Sequence, residues 1–233
     1  MNIGPILYLI PARKGSEGLP KKNFKKLFGK PLIFWSYDFA KKIAREEDQI
    51  CISTNDELII DYCIKKEVEI HFIRPDFLSK KNSTTDSVIN HALKFFESKG
   101  KIFEYIMLLQ PTSPFRFVND YKQILSLLDK NIDMVVSVKE CKDNPYFNMY
   151  IENSNGGLKQ LNSSNHYTRR QDTPKVYGSN GAFYFFKVTS FKLKNKIDFK
   201  NIKKYLMPNW QSIDIDTIED WDLAVYYGKK YLN

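Results

Sequence analysis

The chain is expected to fold as an α/β domain with a doubly wound, mostly parallel sheet. Three observations lead there. Short apolar runs alternate with amphipathic helical patterns from Leu7 to Val138. Two of the runs, Leu7-Tyr8-Leu9-Ile10 and Tyr105 to Leu109, are apolar throughout, as strands buried on both faces are. Polar loops follow the first, third and fourth runs, which places them at the sheet edge where such folds bind ligands.

The first run ends in Pro11-Ala12-Arg13-Lys14-Gly15-Ser16-Glu17-Gly18-Leu19-Pro20-Lys21-Lys22-Asn23. Gly15 and Gly18 let backbone N–H groups turn toward a ligand, and Arg13, Lys14, Lys21 and Lys22 can neutralise a polyanion. An exposed basic turn is the simpler alternative. Pro31 then opens a helix with Leu32, Ser36, Phe39, Ala40 and Ile43 on one face. Ile50 to Thr54 reads as a strand, and Thr54 or Asn55 as the cap of a helix carrying Ile59, Ile60, Cys63 and Ile64. Val68 to Ile73 reads as a third strand, ending at Arg74, a candidate ligand residue. Polar residues 79–86 lead into a helix with Val88, Ile89, Ala92, Leu93 and Phe96.

After Tyr105 to Leu109, the two prolines of Gln110-Pro111-Thr112-Ser113-Pro114 fix the backbone, so Gln110, Thr112 and Ser113 are held in defined positions or simply belong to a proline turn. A helix with Ile124, Leu125 and Leu128 precedes a buried strand, Met134 to Val138. The alternation breaks over residues 139–177, where turn residues and aromatics dominate. That stretch reads as an excursion from the sheet that packs on its own chain or on a second subunit. Gly178 to Gly181 reads as a tight turn before a strand, Ala182 to Phe186, and residues 191–208 as a helix and loop. Ile213-Asp214-Ile215-Asp216 reads as a short strand with both carboxylates on one face, and Thr217 with Asp220 as a capping box for a last helix with Trp221, Ala224, Val225 and Gly228 on its packing side.

A chain of 233 residues with 42% hydrophobic content suits a single domain, 1–233. Lys and Arg exceed Asp and Glu by 36 − 27 = 9, which favours an anionic partner. The lysine doublets are scattered without a basic block, so they read as solvated helix faces, and no nucleic-acid partner is expected. Cys51, Cys63 and Cys141 form no CxxC pair, and His71, His91 and His166 lack metal spacing. No apolar run reaches the roughly 18 to 20 residues of a membrane span, and the first twelve residues lack the features of a signal peptide. A cytoplasmic protein without a membrane partner is the expectation.

Two carboxylates beside a basic glycine loop make chemical sense if Mg²⁺ lies between them and a phosphate, since this ion takes one or two carboxylates plus phosphate oxygens and water. A capping or salt-bridging role for Asp214 is the simpler alternative. The dinucleotide fingerprint and the P-loop ending are both absent.

Ile10 to Asn23, Leu108 to Pro114, Tyr177 to Ala182 and Ser212 to Thr217, in that order, resemble the motifs of the CMP-sialic acid synthetases (acylneuraminate cytidylyltransferases) across nearly the whole chain. The resemblance implies a Rossmann-like nucleotide-diphospho-sugar transferase fold and transfer of CMP from CTP to a nonulosonic acid with release of pyrophosphate, serving cell-surface glycan synthesis. It implies that Arg13, Ser16, Lys22 and Asn23 contact the triphosphate, with Arg74, Thr84 and Thr85 around the cytidine. Gln110, Arg170, Asn180 and Tyr184 would bind the sugar, Asp214 and Asp216 would hold Mg²⁺, and Arg13, Lys22 and Asp216 would be catalytic. It also implies a homodimer that exchanges the 139–177 segment, bringing Arg170 to a neighbour's site. Glu17 stands where the family commonly has Lys or Arg. Alternative acceptors are legionaminate, pseudaminate and 3-deoxy-octulosonate; a non-catalytic basic module binding nucleotides or nucleic acid is the alternative from another class.

Overall fold

The computed structural model describes residues 3–15, 18–162 and 167–232. In chain order the elements are β1 (Ile6–Ala12), β2 (Lys26–Leu27), β3 (Lys30–Pro31), α1 (Leu32–Ile43), β4 (Gln49–Thr54), α2 (Glu57–Lys65), α3 (Thr85–Glu97), β5 (Tyr105–Leu108), α4 (Val118–Ser126) and β6 (Met134–Glu140). After these come β7 (Tyr150–Glu152), β8 (Leu158–Gln160), β9 (Tyr177–Lys187), α5 (Val188–Lys194), β10 (Ile202–Leu206) and α6 (Ile218–Tyr231). Among the described residues, no helix is long and apolar enough to cross a membrane.

Six strands form the main sheet in the order β10-β6-β9-β5-β1-β4. All run parallel except β9, which is antiparallel to both of its neighbours. The mostly parallel expectation therefore holds. Period-2 alternation sends Leu7 and Leu9 of β1 to one face, with α3 and α5, and Ile6, Tyr8 and Ile10 to the other, with α1, α2 and α4. A third cluster closes the ligand edge: Leu19, Leu27, Leu32, Phe115, Ile213 and Ile215 pack with Trp221 and Ala224 of α6. Burial pushes the Cys51 thiol up to about 12 and the Cys63 thiol up to about 11, in keeping with core packing.

Five local expectations are corrected. Val68 to Ile73 forms only a single bridge, Thr54 to Ile73. Here the His71 ring lies 3.1 Å from the Ile50 carbonyl, so a side chain takes the oxygen that a strand ladder would use. Asp56, not Thr54 or Asn55, caps α2 by accepting from the Leu58 N–H at 3.1 Å, while Thr54 accepts from the Asp56 N–H. Gly178 to Gly181 is no turn but part of β9, where the pairing with β6 slips between Val136 and Val138. Residues 191–208 contain α5 and the edge strand β10, whose Lys-rich sequence, Ile202-Lys203-Lys204-Tyr205-Leu206, hides it from an apolar-run search. Ile213 to Asp216 is extended without strand pairing, and the Ile215 N–H donates to the Thr112 carbonyl at 2.9 Å. Its alternation survives: both isoleucines are buried and both aspartates exposed.

The excursion carries the β7–β8 hairpin, where Tyr150 pairs with Gln160, Ile151 with Lys159 and Glu152 with Leu158.

Candidate active site

The carboxyl ends of β1 and β5 open into a cleft of about 560 Å³, lined among others by Arg13, Lys22, Asn23, Arg74, Thr84, Thr85, Gln110, Asp214 and Asp216. Nine of the residues singled out in the sequence thus share one cavity, although they come from four separate parts of the chain. Ser16 and Glu17 lie outside the described residues.

Lys22 opens a turn of 3-10 helix, Lys22–Phe24, and is buried with its ammonium directed to Asp216, Nζ to Oδ1 at 2.6 Å. The glycine loop and the acid pair also meet through the backbone: a Cβ built on Gly18 would stand 2.1 Å from the Asp216 carbonyl, so only glycine admits this approach. Lys14 behaves differently from the expectation. Its Nζ pairs with Glu57 of α2 at 2.6 Å and its N–H donates to Asn55, which turns it away from the cleft. Lys21, in the left-handed backbone region at φ 52°, is likewise absent from the lining.

Arg74 is a buried cation in the cleft wall. Its Nε donates to Ser53 Oγ at 3.0 Å and its Nη2 to the Ser53 carbonyl at 2.6 Å, and it has no carboxylate partner among the described residues. Burial lowers its pKa to about 10, with Arg13 adding to the effect, yet it stays charged at neutral pH. A buried guanidinium with no carboxylate partner among the described residues is suited to an anion. Beside it the amino end of α3 is capped by Thr84, which accepts from the Ser87 N–H, and Thr85 begins the helix facing the cleft.

Asp214 and Asp216 also line the cleft, from the extended segment. Asp214 is exposed to solvent, yet the protein around it still desolvates its carboxyl in part. That desolvation raises its pKa; the Thr112 hydroxyl and Lys22 oppose the rise, and Asp216 and Asp220 add to it. Burial of Ile213 and Ile215, worth about 1.5–3 kcal/mol for each side chain, anchors the segment from behind. The capping box of α6 adds a further tie, since Asp220 accepts from the N–H groups of Asp216 and Thr217 at 3.0 and 2.9 Å.

Of the residues expected to bind the sugar, Asn180 and Tyr184 do not line the cleft, and Arg170, expected to serve a neighbouring chain's site, lies apart from this chain's own. Asn180 is buried and its amide is fully used: Nδ2 donates to Ser212 Oγ at 2.8 Å, and Oδ1 accepts from Ser137 Oγ and the Ala182 N–H. It locks the slipped region of β9 to the segment before Asp214 and does not line the cleft. Tyr184 packs among the aromatic residues on the α3 and α5 face. Arg170 sits on the excursion, anchored on the Lys142 carbonyl, and lines a separate cavity of about 390 Å³. Gln110 alone of that group reaches the cleft.

Arg116 was not foreseen. It is buried, and its guanidinium donates to the Ala182 carbonyl (2.6 Å), the Ser36 hydroxyl (2.8 Å) and the Gln110 carbonyl (2.7 Å). Burial lowers its pKa to about 9. It is a positioning residue that ties the Gln110 loop to α1 and β9. In sequence it is one more loop arginine after a double proline, and only the packing of Phe115 and Phe183 around it reveals the burial.

Cations, a carboxylate pair and a glutamine amide lining one cleft are suited to binding a polyphosphate and moving one phosphoryl-type group. Known proteins agree with this chemistry. The cytidylyltransferase family profile matches residues 7–231. The chain is 30% identical to a CMP-N,N'-diacetyllegionaminic acid synthase of Legionella pneumophila over 94% of both chains. It is 28% identical to a pseudaminic acid cytidylyltransferase of Campylobacter jejuni, again over 94% of both. An N-acylneuraminate cytidylyltransferase of Streptococcus agalactiae is 28% identical over 91% of this chain and 51% of its own length. Among solved structures, a CMP:2-keto-3-deoxy-manno-octonic acid synthetase complexed with CTP superposes with a TM-score of 0.66 at 16% identity, covering 97% of this chain and 98% of that one, a likeness of fold. Match length, identity and the conjunction of loops in one cleft lead to the same conclusion: the chain belongs to the cytidylyltransferase family.

Proposed function

We propose that this chain transfers the cytidylyl group of CTP to the anomeric hydroxyl of a nonulosonic acid and releases pyrophosphate. The observation that carries the reading is the convergence of Arg13, Lys22 and Arg74 with Asp214, Asp216 and Gln110 around one cleft. The hydroxyl oxygen forms a bond to the α-phosphorus of CTP as the bond from that phosphorus to the bridging oxygen breaks. The hydroxyl proton leaves to a cleft carboxylate or water, and the electron pair departs with pyrophosphate. Such a displacement needs positioning and neutralisation of charge more than covalent help.

Arg13 and Lys22 stand where they neutralise the triphosphate, Arg74 and the start of α3 frame the nucleoside, and Gln110 faces the acceptor. The donor set fits Mg²⁺: two carboxylates share the cleft wall, and among the described residues no group of three or more ligating side chains exists, so substrate oxygens and water would complete the shell. Asp214 and Asp216 would hold the ion, which when bound neutralises developing charge on phosphate oxygens. A nucleotide- or nucleic-acid-binding module would have no use for this acid pair.

The relatives' names motivate the acceptor class, with pseudaminate, legionaminate and acylneuraminate all in play. We also place the enzyme in the cytoplasm, where CTP is made, and as a homodimer through the β7–β8 hairpin, an arrangement that would carry Arg170 toward the neighbouring chain. The test is pyrophosphate release from CTP and Mg²⁺ with a panel of nonulosonic acids, scored by kcat/KM. Release with at least one acid is expected; no release with any of them, from protein that binds CTP, would sink the reading.

A further inference from the structure

Two buried charges flank the start of α4 without lining the cleft, Arg116 just before the helix and Asp120 in its first turn. Arg116 holds the Gln110 carbonyl at 2.7 Å. Asp120 holds a distant part of the chain. Its Oδ1 accepts from the Tyr205 hydroxyl of β10 at 2.8 Å, and its Oδ2 from the Gln211 side-chain amide at 2.6 Å and the Phe117 N–H at 2.8 Å. Burial raises the Asp120 pKa, and the three donors and Arg116 oppose the rise. A buried carboxylate is costly, and apolar packing would hold α4 against β10 without that cost. What a carboxylate adds is direction, since its charge-assisted hydrogen bonds hold each donor at a fixed place.

Gln211 is buried and stands three residues before Asp214. The next residue, Ser212, is pinned by the Asn180 amide at 2.8 Å. Beyond these two anchors the chain runs extended, with Ile213 and Ile215 buried and Asp214 and Asp216 at the cleft. Because side chains alternate along an extended chain, a slip of one residue would turn the isoleucines to the cleft and bury the aspartates. We propose that Asp120 is a positioning residue for the transfer reaction. Through Gln211 it fixes the register of the acid segment, while Arg116, four positions earlier, fixes Gln110. Residues 116–120 thereby set the separation between Gln110 and the acid pair. The inference rests on the cytidylyl-transfer reading above and on its assignment of Asp214 and Asp216 to the divalent cation. It requires no contact of Asp120 with either substrate.

The test uses the full chain with CTP, Mg²⁺ and the best acceptor acid of the panel. Asp120→Leu, Gln211→Met, the two combined and Asp120→Asn are compared with the unmodified protein. The readouts are kcat, the Mg²⁺ concentration giving half the maximal rate, and calorimetric CTP binding in a chelator. Asp120→Leu and Gln211→Met are each expected to lower kcat by about 10-fold or more and to raise the Mg²⁺ requirement several-fold, with CTP affinity in the chelator held within about twofold. The combined variant should be little worse than Asp120→Leu alone, since both changes cut one link. Asp120→Asn should stay within about threefold of the unmodified kcat, because its oxygen still accepts from Gln211 and Phe117 and its amide can donate to the Tyr205 oxygen. Unchanged kcat and Mg²⁺ dependence in Asp120→Leu, or in Gln211→Met, overturns the positioning role, as does a loss of CTP binding in step with kcat. So does a combined loss equal to the product of the single losses. If Asp120→Leu fails to fold, Gln211→Met alone decides. No turnover of any acid by unmodified protein that binds CTP overturns the transfer reading and this role together.

Discussion

Lys22 and Asp216, 194 residues apart in the chain, meet at 2.6 Å across the floor of the cleft, the lysine buried and the aspartate exposed. The pair joins the phosphate loop to the acid segment, and in the proposed reaction it would hold each in the other's way, Lys22 being needed by phosphate oxygens and Asp216 by a divalent cation. Removing the acid therefore separates the two roles. Asp216→Asn is expected to lower kcat by on the order of 100-fold while CTP binding without divalent cation tightens several-fold, because the lysine is released. Calorimetry in a chelator and turnover in Mg²⁺ read the two effects; weaker chelator-state binding would count against this coupling.

Arg74 offers a second separation, between nucleotide and acceptor. Its buried guanidinium is held by Ser53 and has no carboxylate partner among the described residues, so a ligand anion or carbonyl completes it. Charge-assisted hydrogen bonds contribute about 1.5–3 kcal/mol, so Arg74→Lys, which keeps the charge and loses the fork, is expected to raise KM for CTP by about 10- to 100-fold. KM for the acceptor should move far less. Equal changes in both constants would place Arg74 outside the nucleotide half.

How much of this was legible beforehand depends on what each residue does. Arg13, Lys22 and Asp214 announce themselves because glycine, proline and charge punctuate an otherwise apolar strand pattern, and strand direction then gathers their loops at one edge. Residues whose work is internal do not announce themselves. Asn180 and Arg116 are tied to distant partners, Ser212 at 32 positions and Ser36 at 80 among them, and no local pattern distinguishes them from ligand-binding polar residues. Direction is also silent in the local pattern. Nothing within Ala182 to Phe186 says that β9 runs against its neighbours, because a strand buried on both faces reads the same either way.

Gly181 ties two of those distant parts together. It lies at φ +74°, and an added Cβ would stand 2.4 Å from Gln110 Oε1 and 2.7 Å from Ser113 Oγ. Gly181→Ala therefore combines left-handed strain of about 1–2 kcal/mol with displacement of the Gln110 amide. The expected result is a melting temperature lower by roughly 2–8 °C and a KM for the acceptor raised more than that for CTP. A variant with the lower midpoint but both KM values unchanged would take Gln110 out of acceptor binding.

Asp133 gives a pH-dependent prediction away from the site. Its carboxylate accepts from Ser190 at the start of α5 (2.7 Å) and from the Asn201 N–H before β10 (3.3 Å). The Ser190 bond chiefly lowers its pKa, against some desolvation, with the Asn201 N–H helping. A carboxylate whose folded pKa lies below its unfolded one contributes stability above the unfolded value and loses it as pH falls through the folded one. Asp133→Asn should therefore melt about 1–3 °C below the unmodified protein at pH 7, a modest gap because the group is close to solvent. Thermal scans from pH 7 to pH 3 should show that gap closing; a gap constant with pH would mean the charge is irrelevant.

The β7–β8 hairpin is the part of the molecule least able to stand alone. A two-stranded ribbon is marginal in water, and this one has apolar residues on both faces. Register puts Met149, Ile151 and Leu161 on one face, with Met149 and Leu161 lining a cavity beside α6. Tyr150 and Leu158 share the other face with Gln160 and Glu152, and Leu158 is 70% exposed. In the proposed homodimer a second copy would cover the Tyr150 and Leu158 side chains of this face. Sedimentation at micromolar concentration should then give a dimer for the unmodified chain and a monomer for Leu158→Asp combined with Tyr150→Asp, since two buried like charges facing their symmetry mates oppose association. CTP binding, proposed for the separate cleft at the ends of β1 and β5, should persist in that variant. A monomer from the unmodified chain, or a dimer undisturbed by both aspartates, would remove the hairpin from the interface.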